Sequence, residues 1–518
     1  MLTFSLTPDK LHLELISYDH KSELKDFQFY FKKRQKGYLF NRLYKRKLWD
    51  GFDHFVTLDK ETGIARIGVG LWKEILNFSK KYGYQVNIKD LDSLFNLGFT
   101  KDQVDKFASV MLDGSSIDAR DYQLEAVFRA LKYKFCSLEL ATSAGKTIIF
   151  FLYLAFLKRK GILKREGQKA LIVVPRSSLV GQTAEKFEAD YNTGLMNFNV
   201  MSIGGKNKFK EKDFEHADIV ISTYQSLINR PPEFFKEFRI VCVDECHTSR
   251  GNSIRDILLN STNAEYKLGL SGTIKIEDDY SDFFRIQEYL GPLSMVLKAS
   301  HLIENNYSPD VYIKMLYLDY PPDEPFVKTY LEMRDSGRAG KDLYDAEKAF
   351  IVSYEPRIDF ISKFVSKLPG NTLILYINVK DGYGQRICDR IKDWNEHVYY
   401  IDGGVDSDDR DGYQRIMESQ SGVVLVASYG TFSTGIDLKN VNHIILAESY
   451  KSEVTIRQSI GRGMRGLKGK VKVTIYDLID DLRGYVVKHG AAREKIYVKE
   501  QFILSKHRFD LSKFANGI

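Results

Sequence analysis

Cysteine is scarce in this chain: Cys136, Cys242, Cys246 and Cys388 are the only four in 518 residues. They contain no Cys-x-x-Cys pair. A disulfide scaffold is therefore excluded, no zinc site is expected, and buried thiols in a reducing compartment fit best. Long apolar runs are lacking as well. The longest, Ile148 to Leu157, has ten residues, against roughly 20 for a bilayer-spanning helix. The N-terminus shows no basic segment followed by an apolar one, so it does not read as a signal peptide. No membrane association is expected, and a cytoplasmic location is. Low-complexity tracts and repeats of solenoid period are also missing.

Acidic residues are absent from one conspicuous stretch. Between positions 32 and 47 stand Lys32, Lys33, Arg34, Lys36, Arg42, Lys45, Arg46 and Lys47, with no Asp or Glu. That segment carries +8 while the whole chain carries +7, so the remainder sums to −1. Tyr38, Phe40, Tyr44 and Trp49 are interleaved with these charges. Basic groups neutralise phosphates and aromatic faces stack on bases, which suits a nucleic acid. A solvated hairpin edge protected by lysines has the same composition. The tail from Arg483 to Lys513, with eight basic and three acidic residues, is a second phosphate contact or simply a docked, solvated helix.

The length allows three or four domains at roughly 100–200 residues each. Residues 1–112 read as a small α+β unit, with strand-like pieces at 10–18, 27–31, 38–43, 52–58 and 63–69 and a helix near 72–82. Residues 113–300 alternate apolar strands with helices, the pattern of a parallel α/β sheet. The candidate strands are 137–140, 170–174, 219–223, 240–244 and 266–271. A connecting segment, 301–352, contains Pro321, Pro322 and Pro325. A second α/β series, 353–482, has candidate strands at 372–377, 398–402, 422–428, 443–447 and 470–476, and residues 483–518 form the basic tail. Two such units in tandem are expected to make a ligand cleft.

Three strings carry chemistry. In Leu138-Glu-Leu-Ala-Thr-Ser-Ala-Gly-Lys-Thr147 a strand turns into the long apolar helix. The GxxxxGK[ST] pattern fails at Leu140, but Ala141, Thr142, Ser143, Ala144, Gly145, Lys146 and Thr147 retain AxxxGKT. Backbone N–H groups in such a turn cradle phosphates, the lysine reaches the β/γ-phosphates and the threonine hydroxyl ligates Mg2+. An ordinary strand-to-helix turn is the competing reading. About 100 residues later, Arg239-Ile-Val-Cys-Val-Asp-Glu-Cys-His247 is an apolar strand ending in two carboxylates. Asp244 and Glu245 suit a Mg2+ site, and Glu245 suits a base for the attacking water. In Gln458-Ser-Ile-Gly-Arg-Gly-Met-Arg465, Arg462 and Arg465 lie three apart on one helical face, as a γ-phosphate clamp requires.

Together, DECH and QSIGRGMR resemble the superfamily 2 helicases and translocases. The resemblance implies two tandem RecA-like domains, a P-loop NTPase motor, behind the small N-terminal domain. It implies ATP and Mg2+ as cofactors. Arg120, Tyr122 and Gln123 match the Q motif, with Gln123 reading adenine. The resemblance further implies that His247 and the coupling motif Ser271, Gly272 and Thr273 sense closure, and that Gly435, Asp437 and Gln458 contact the nucleotide. Arg176 and Ser178 (motif Ia), Thr223 and Gln225 (Ib), Asn378 (IV) and Ser428 and Thr431 (V) fall where that family grips nucleic acid. The strings Tyr38-Leu-Phe-Asn-Arg42, Lys47-Leu-Trp-Asp-Gly51, ATSAGKT and ASYGTFSTGID are similar to the phage UvsW-type recombination and branch-migration helicases. That likeness implies branched or forked DNA as partner, other recombination or replication proteins as further partners, and a host-cytoplasm location. An RNA helicase and the motor subunit of a restriction system are the alternative enzyme readings, and an inert nucleic-acid-binding scaffold is the non-enzymatic one.

Overall fold

Strands such as Lys169–Val174 and Tyr266–Ser271 are buried at every residue, so both faces of their sheet must be covered, the usual condition of a parallel sheet between helices. A computed structural model of the chain places them there. It describes residues 1–59, 61–96, 98–113, 117–163, 168–191, 196–204, 209–274, 280–337, 340–377, 379, 381–405, 407–433, 438, 440–449, 452–463 and 472–515. The chain divides into two units, Met1–Leu297 and Lys298–Ile518.

The first unit holds a seven-stranded sheet in the order Val200–Ile203, Ile219–Thr223, Lys169–Val174, Phe238–Asp244, Tyr266–Ser271, Phe135–Leu140 and Leu293–Leu297, all parallel. The helix Lys146–Arg159 is buried from Ile148 to Leu157. A helix apolar on every side belongs inside. The N-terminal residues build a separate five-stranded sheet, Val56–Leu58, Ala65–Gly68, His12–Ser17, Leu2–Leu6 and Val86–Ile88. It shares one apolar core with the motor sheet through the helix Tyr280–Leu290. The approach is close: a Cβ on Gly70 would stand 1.8 Å from the Gln287 carbonyl oxygen. Asp53 also accepts from Arg285 Nε at 2.9 Å.

Two pieces read as strands are helical. Phe27–Phe31 falls mostly in the helix Lys21–Tyr30, and Tyr38–Leu43 is a 3-10 turn, Tyr38–Phe40, leading into a short helix, Arg42–Lys45. Asn41 drives the second change, since its side chain accepts from Leu43 N at 2.9 Å and caps the helix.

The second unit holds another all-parallel sheet: Val398–Ile401, Val424–Ser428, Thr372–Tyr376, His443–Leu446, Lys472–Asp480, Asp310–Asp319 and Ile503–Asp510. Numbered in chain order, both seven-stranded sheets read 3-4-2-5-6-1-7. The repeat depends on segments that the sequence reading set outside the second α/β series. Asp310–Asp319, from the connection, pairs along its length with Lys472–Asp480 on one side and with the tail strand Ile503–Asp510 on the other. Connection and tail are therefore integral to this sheet. Two buried ion pairs, Arg357–Asp480 and Arg493–Asp477, fasten it to its helices. Among the described residues no helix is long and apolar enough to cross a membrane.

Candidate active site

Strand 1 of the first sheet, Phe135–Leu140, delivers the phosphate loop. Ala141 to Gly145 turn out of the strand and Lys146 opens the buried helix. Ser143 and Gly145 have φ of +71° and +79°, and left-handed residues of this kind curl backbone N–H groups into a concavity that takes anions. Glycine is required at 145, because a Cβ there would lie 2.4 Å from Gln123 Nε2. Gln123 itself is buried and engaged at both ends of its amide. Its Oε1 accepts from Arg120 N at 2.9 Å, and its Nε2 donates to the Ala144 carbonyl at 2.8 Å. Arg120 Nη1 in turn donates to the Tyr122 hydroxyl at 3.0 Å. The Q-motif residues thus tie their helix to the phosphate loop, with Gln123 as the link.

Strand 5 brings the acids to the same end of the sheet, and strand 6 brings Ser271. Asp244 ends Phe238–Asp244, and Glu245 follows with φ +48°, its N–H donating to Asp244 Oδ1 at 3.0 Å. The Lys146 ammonium is ion-paired with Glu245 Oε1. Burial pushes the Asp244 carboxyl above its ordinary range, against the pull of Lys146. Burial also acts to raise Glu245, but Lys146 and His247 outweigh it and hold that carboxyl well below the usual range. Burial likewise opposes the Lys146 charge, and Glu245 and Asp244 reverse this, so the ammonium stays protonated.

The coupling motif is wired to the acids. His247 Nδ1 and Ser271 Oγ are 2.7 Å apart, and Ser271 Oγ donates to Glu245 Oε2 at 3.2 Å. The two bonds are compatible when His247 Nδ1 carries the hydrogen. Thr273 N donates to Ser271 Oγ at 3.2 Å, and Ile274 N donates to Glu139 Oε2 at 3.0 Å. A Cβ on Gly272 would stand 3.5 Å from Thr142 Oγ1, so coupling motif and phosphate loop are neighbours. Glu139 is a member of this group that sequence reasoning missed. Its signal was a carboxylate inside a strand buried at every position.

In the second unit Gln458 is half-buried on the helix Glu453–Gly463. Arg457 beside it is held by Glu453 and Glu500 at 2.9 Å each. The backbone of Arg462 belongs to the same helix. Its side chain lies outside the described residues, as do Asn378, Gly435, Asp437 and Arg465.

The described nucleic-acid candidates of the motor follow strands 2 and 4. Arg176 precedes the helix Ser177–Glu185 after Lys169–Val174, with Ser178 exposed on its first turn. Thr223 ends Ile219–Thr223 and accepts from Ser226 N at 3.3 Å, with Gln225 exposed beside it. Ser428 ends Val424–Ser428 in the other sheet and accepts from Thr431 N at 3.2 Å, while its hydroxyl donates to Thr431 Oγ1 at 2.8 Å. Thr223 and Ser428 thus occupy matching places, each capping the helix that leaves strand 4.

The basic N-terminal segment separates into two groups. Lys32 pairs with Asp50 at 2.9 Å, Lys33 stands 4.3 Å from the Tyr30 ring centre and 4.6 Å from that of Phe284, and Arg34 lies over Tyr38 and Phe52. Trp49 Nε1 donates to the Phe52 carbonyl at 2.8 Å. These four side chains hold the local fold together. Lys36, Arg42, Lys45, Arg46 and Lys47 are exposed. All four cysteines are buried and free, and among the described residues no group of three His, Cys, Asp or Glu is placed to hold a metal ion.

Comparison with known proteins bears on the same residues. The chain matches the family model of the type III restriction enzyme res subunit over residues 116–276 and that of the helicase conserved C-terminal domain over 356–466. It is 30% identical over 502 residues to the ATP-dependent DNA helicase UvsW of Enterobacteria phage T4, covering 93% of this chain and 94% of that one. The crystal structure of T4 UvsW aligns over 98% of this chain and 99% of that chain, at 27% identity and a TM-score of 0.49. Dbp5 of S. cerevisiae, at 14% identity, aligns over 81% of this chain and 96% of its own with a TM-score of 0.51, a likeness of fold. The phosphate loop, the acid pair and this similarity over nearly the whole chain agree: the protein belongs to the superfamily 2 helicases, in the UvsW family.

Proposed function

We propose that the chain hydrolyses ATP at Lys146, Asp244 and Glu245 and spends the energy on remodelling branched DNA: forks, D-loops and four-way junctions, including branch migration. The observation that carries this reading is the continuous set of contacts from Lys146 through Glu245 to Ser271 and His247. It joins the group suited to phosphate oxygens, the group suited to activating water and the motif suited to relaying turnover. Phage T4 UvsW, by name an ATP-dependent DNA helicase, supports DNA as the polymer acted on.

In this reading Lys146 exchanges Glu245 for β/γ-phosphate oxygens. Glu245, freed from the cation that held its carboxyl low, orients the attacking water and takes its proton. Thr147 and Asp244, with Glu245 alongside, would hold Mg2+, which neutralises phosphate charge. The donor set fits. It offers a hydroxyl and adjacent carboxylates rather than an all-protein cage, as Mg2+ sites that share substrate phosphates do. Burial also opposes the ionisation of Asp244, which a nearby cation favours. Arg462 and Arg465 supply positive charge to the γ-phosphate, Gln123, Gly435, Asp437 and Gln458 contribute to nucleotide binding, and Asn378 joins the strand-gripping residues.

Residues 1–112 serve as a nucleic-acid-binding domain packed on the sheet of the first unit, and its exposed lysines and arginines meet DNA phosphates. Phage-type recombination, replication or repair in the host cytoplasm is the setting, with other proteins of those processes as partners. The test is an unwinding panel over single strands, forked duplex, D-loops, four-way junctions and RNA duplexes. Branched DNA is expected to be the preferred substrate, and equal or better unwinding of RNA would overturn the reading.

A further inference from the structure

Between the paired strands Lys32–Arg34 and Phe52–His54 the chain makes a loop whose aromatic residues have separate fates. Tyr38 and Tyr44 pack edge to face with ring centres 4.7 Å apart, and Trp49 adds a third ring at 6.5 Å from Tyr44. Gly51, at φ +82°, lets Tyr38 lie against the backbone, since a Cβ there would stand 2.8 Å from the ring. Gln35 N donates to Gly51 O at 3.0 Å, and Leu48 N donates to Leu43 O at 2.9 Å. The loop therefore has a small internal core and cross-bonds of its own.

Phe40 takes no part in that core. It is 82% exposed, and Leu39, Leu43 and Leu48 are 54%, 52% and 71% exposed. Four large apolar side chains in solvent at one loop tip mark a contact surface. Their neighbours decide what the contact is. Lys36, Arg42, Lys45, Arg46 and Lys47 are exposed around them, and none is ion-paired with another described residue. The only acid of the loop, Asp50, is already taken up by Lys32 and His54. A rim of unpaired cations around an apolar tip is complementary to a polyanion whose interior is apolar and stacked, namely duplex DNA opened at a junction.

We propose that this loop is a wedge: Phe40 stacks on the base pair exposed at a DNA branch point, the leucines fill the opened step, and Arg42 and Lys45–Lys47 hold the flanking phosphates. The inference rests on branched DNA being the substrate and adds the element that parts the strands. Internal packing of Tyr38, Tyr44 and Trp49 keeps the tip stiff, which a wedge needs if motor work is to reach the base pair.

The test compares wild type with Phe40→Ala and Phe40→Trp on a forked duplex carrying 2-aminopurine beside the branch point. Base pairs separated per ATP hydrolysed and the fluorescence change on binding are both read. Phe40→Ala is expected to lower the separation ratio about tenfold, the loss of one stacked aromatic platform, and to abolish the fluorescence change, while Phe40→Trp restores both. An alanine variant that separates as many base pairs per ATP as wild type, with the same fluorescence change, would overturn the wedge and leave the tip as a site for a protein partner. Absence of any DNA-stimulated ATP turnover in the wild type would instead remove the function on which the inference rests.

Discussion

Lys146 and Glu245 are each other's partner across the phosphate loop. The cation suited to a γ-phosphate is thus held by the carboxylate suited to activating water, so phosphate binding and release of the base are one exchange. Glu245→Gln breaks the base without removing the hydrogen-bonding shape. Steady-state phosphate release is expected to fall by about 10²–10⁴, while affinity for a fluorescent ATP analogue holds or rises because Lys146 is less tightly engaged.

Ser271 sits between His247, Glu245 and the backbone of Thr273. Replacing it by alanine removes a shared donor and acceptor and leaves the strand intact. The ratio of ATP turnover with DNA to turnover without it should then drop towards one, measured at saturating ATP. A ratio equal to that of wild type would remove the coupling role from this serine.

Lys45, Arg46 and Lys47 are solvent-exposed, and cations that replace phosphate counterions make binding salt-dependent. The triple alanine variant should bind forked DNA more weakly, with a slope of log affinity against log salt shallower by about 2–3. An unchanged slope, from binding isotherms at several salt concentrations, would return these residues to a solvated edge.

Glu288 lies where the N-terminal sheet meets the motor helix, and a Cβ on Gly68 would stand 2.3 Å from its Cγ. Burial, opposed by Arg255, pushes its carboxyl up to about 7, from an ordinary value of 4.5. Below pH 4.5 folded and unfolded chains are both protonated there. Between 4.5 and 7 the unfolded chain gives up the proton first, so this residue lowers stability as pH rises, with the loss complete above 7. Glu288→Gln should therefore stabilise the first unit by about 1–2 kcal/mol at pH 8 and give no gain near pH 4, read from denaturant unfolding at each pH.

The motor was legible because its strands are short apolar runs and its loops carry rare residue combinations. Each central strand expected in the first α/β region, from Phe135–Leu140 to Tyr266–Ser271, formed. The N-terminal domain was harder. Phe27, Phe29 and Phe31 alternate as a strand would, yet they lie at the end of a helix where Phe27 and Phe31, four apart, are buried and Phe29 is 72% exposed. The tail strand Ile503–Asp510 has no apolar run, being exposed along most of its length as an edge. Its strand identity comes from pairing with Asp310–Asp319, a relation that no local pattern contains. At the site, the side chains gathered around the phosphate loop, Lys146, Asp244, Glu245, His247 and Ser271, stand in readable motifs. Glu139 does not, because it acts through a partner distant in sequence, the backbone of Ile274.

ATP turnover by the full chain with and without forked DNA, run beside Lys146→Ala, tests the hydrolytic role of Lys146 most directly. Forked DNA is expected to stimulate turnover in the wild type, and the variant to turn over at background while it still binds the fork. Hydrolysis by the variant at the wild-type rate would contradict that role.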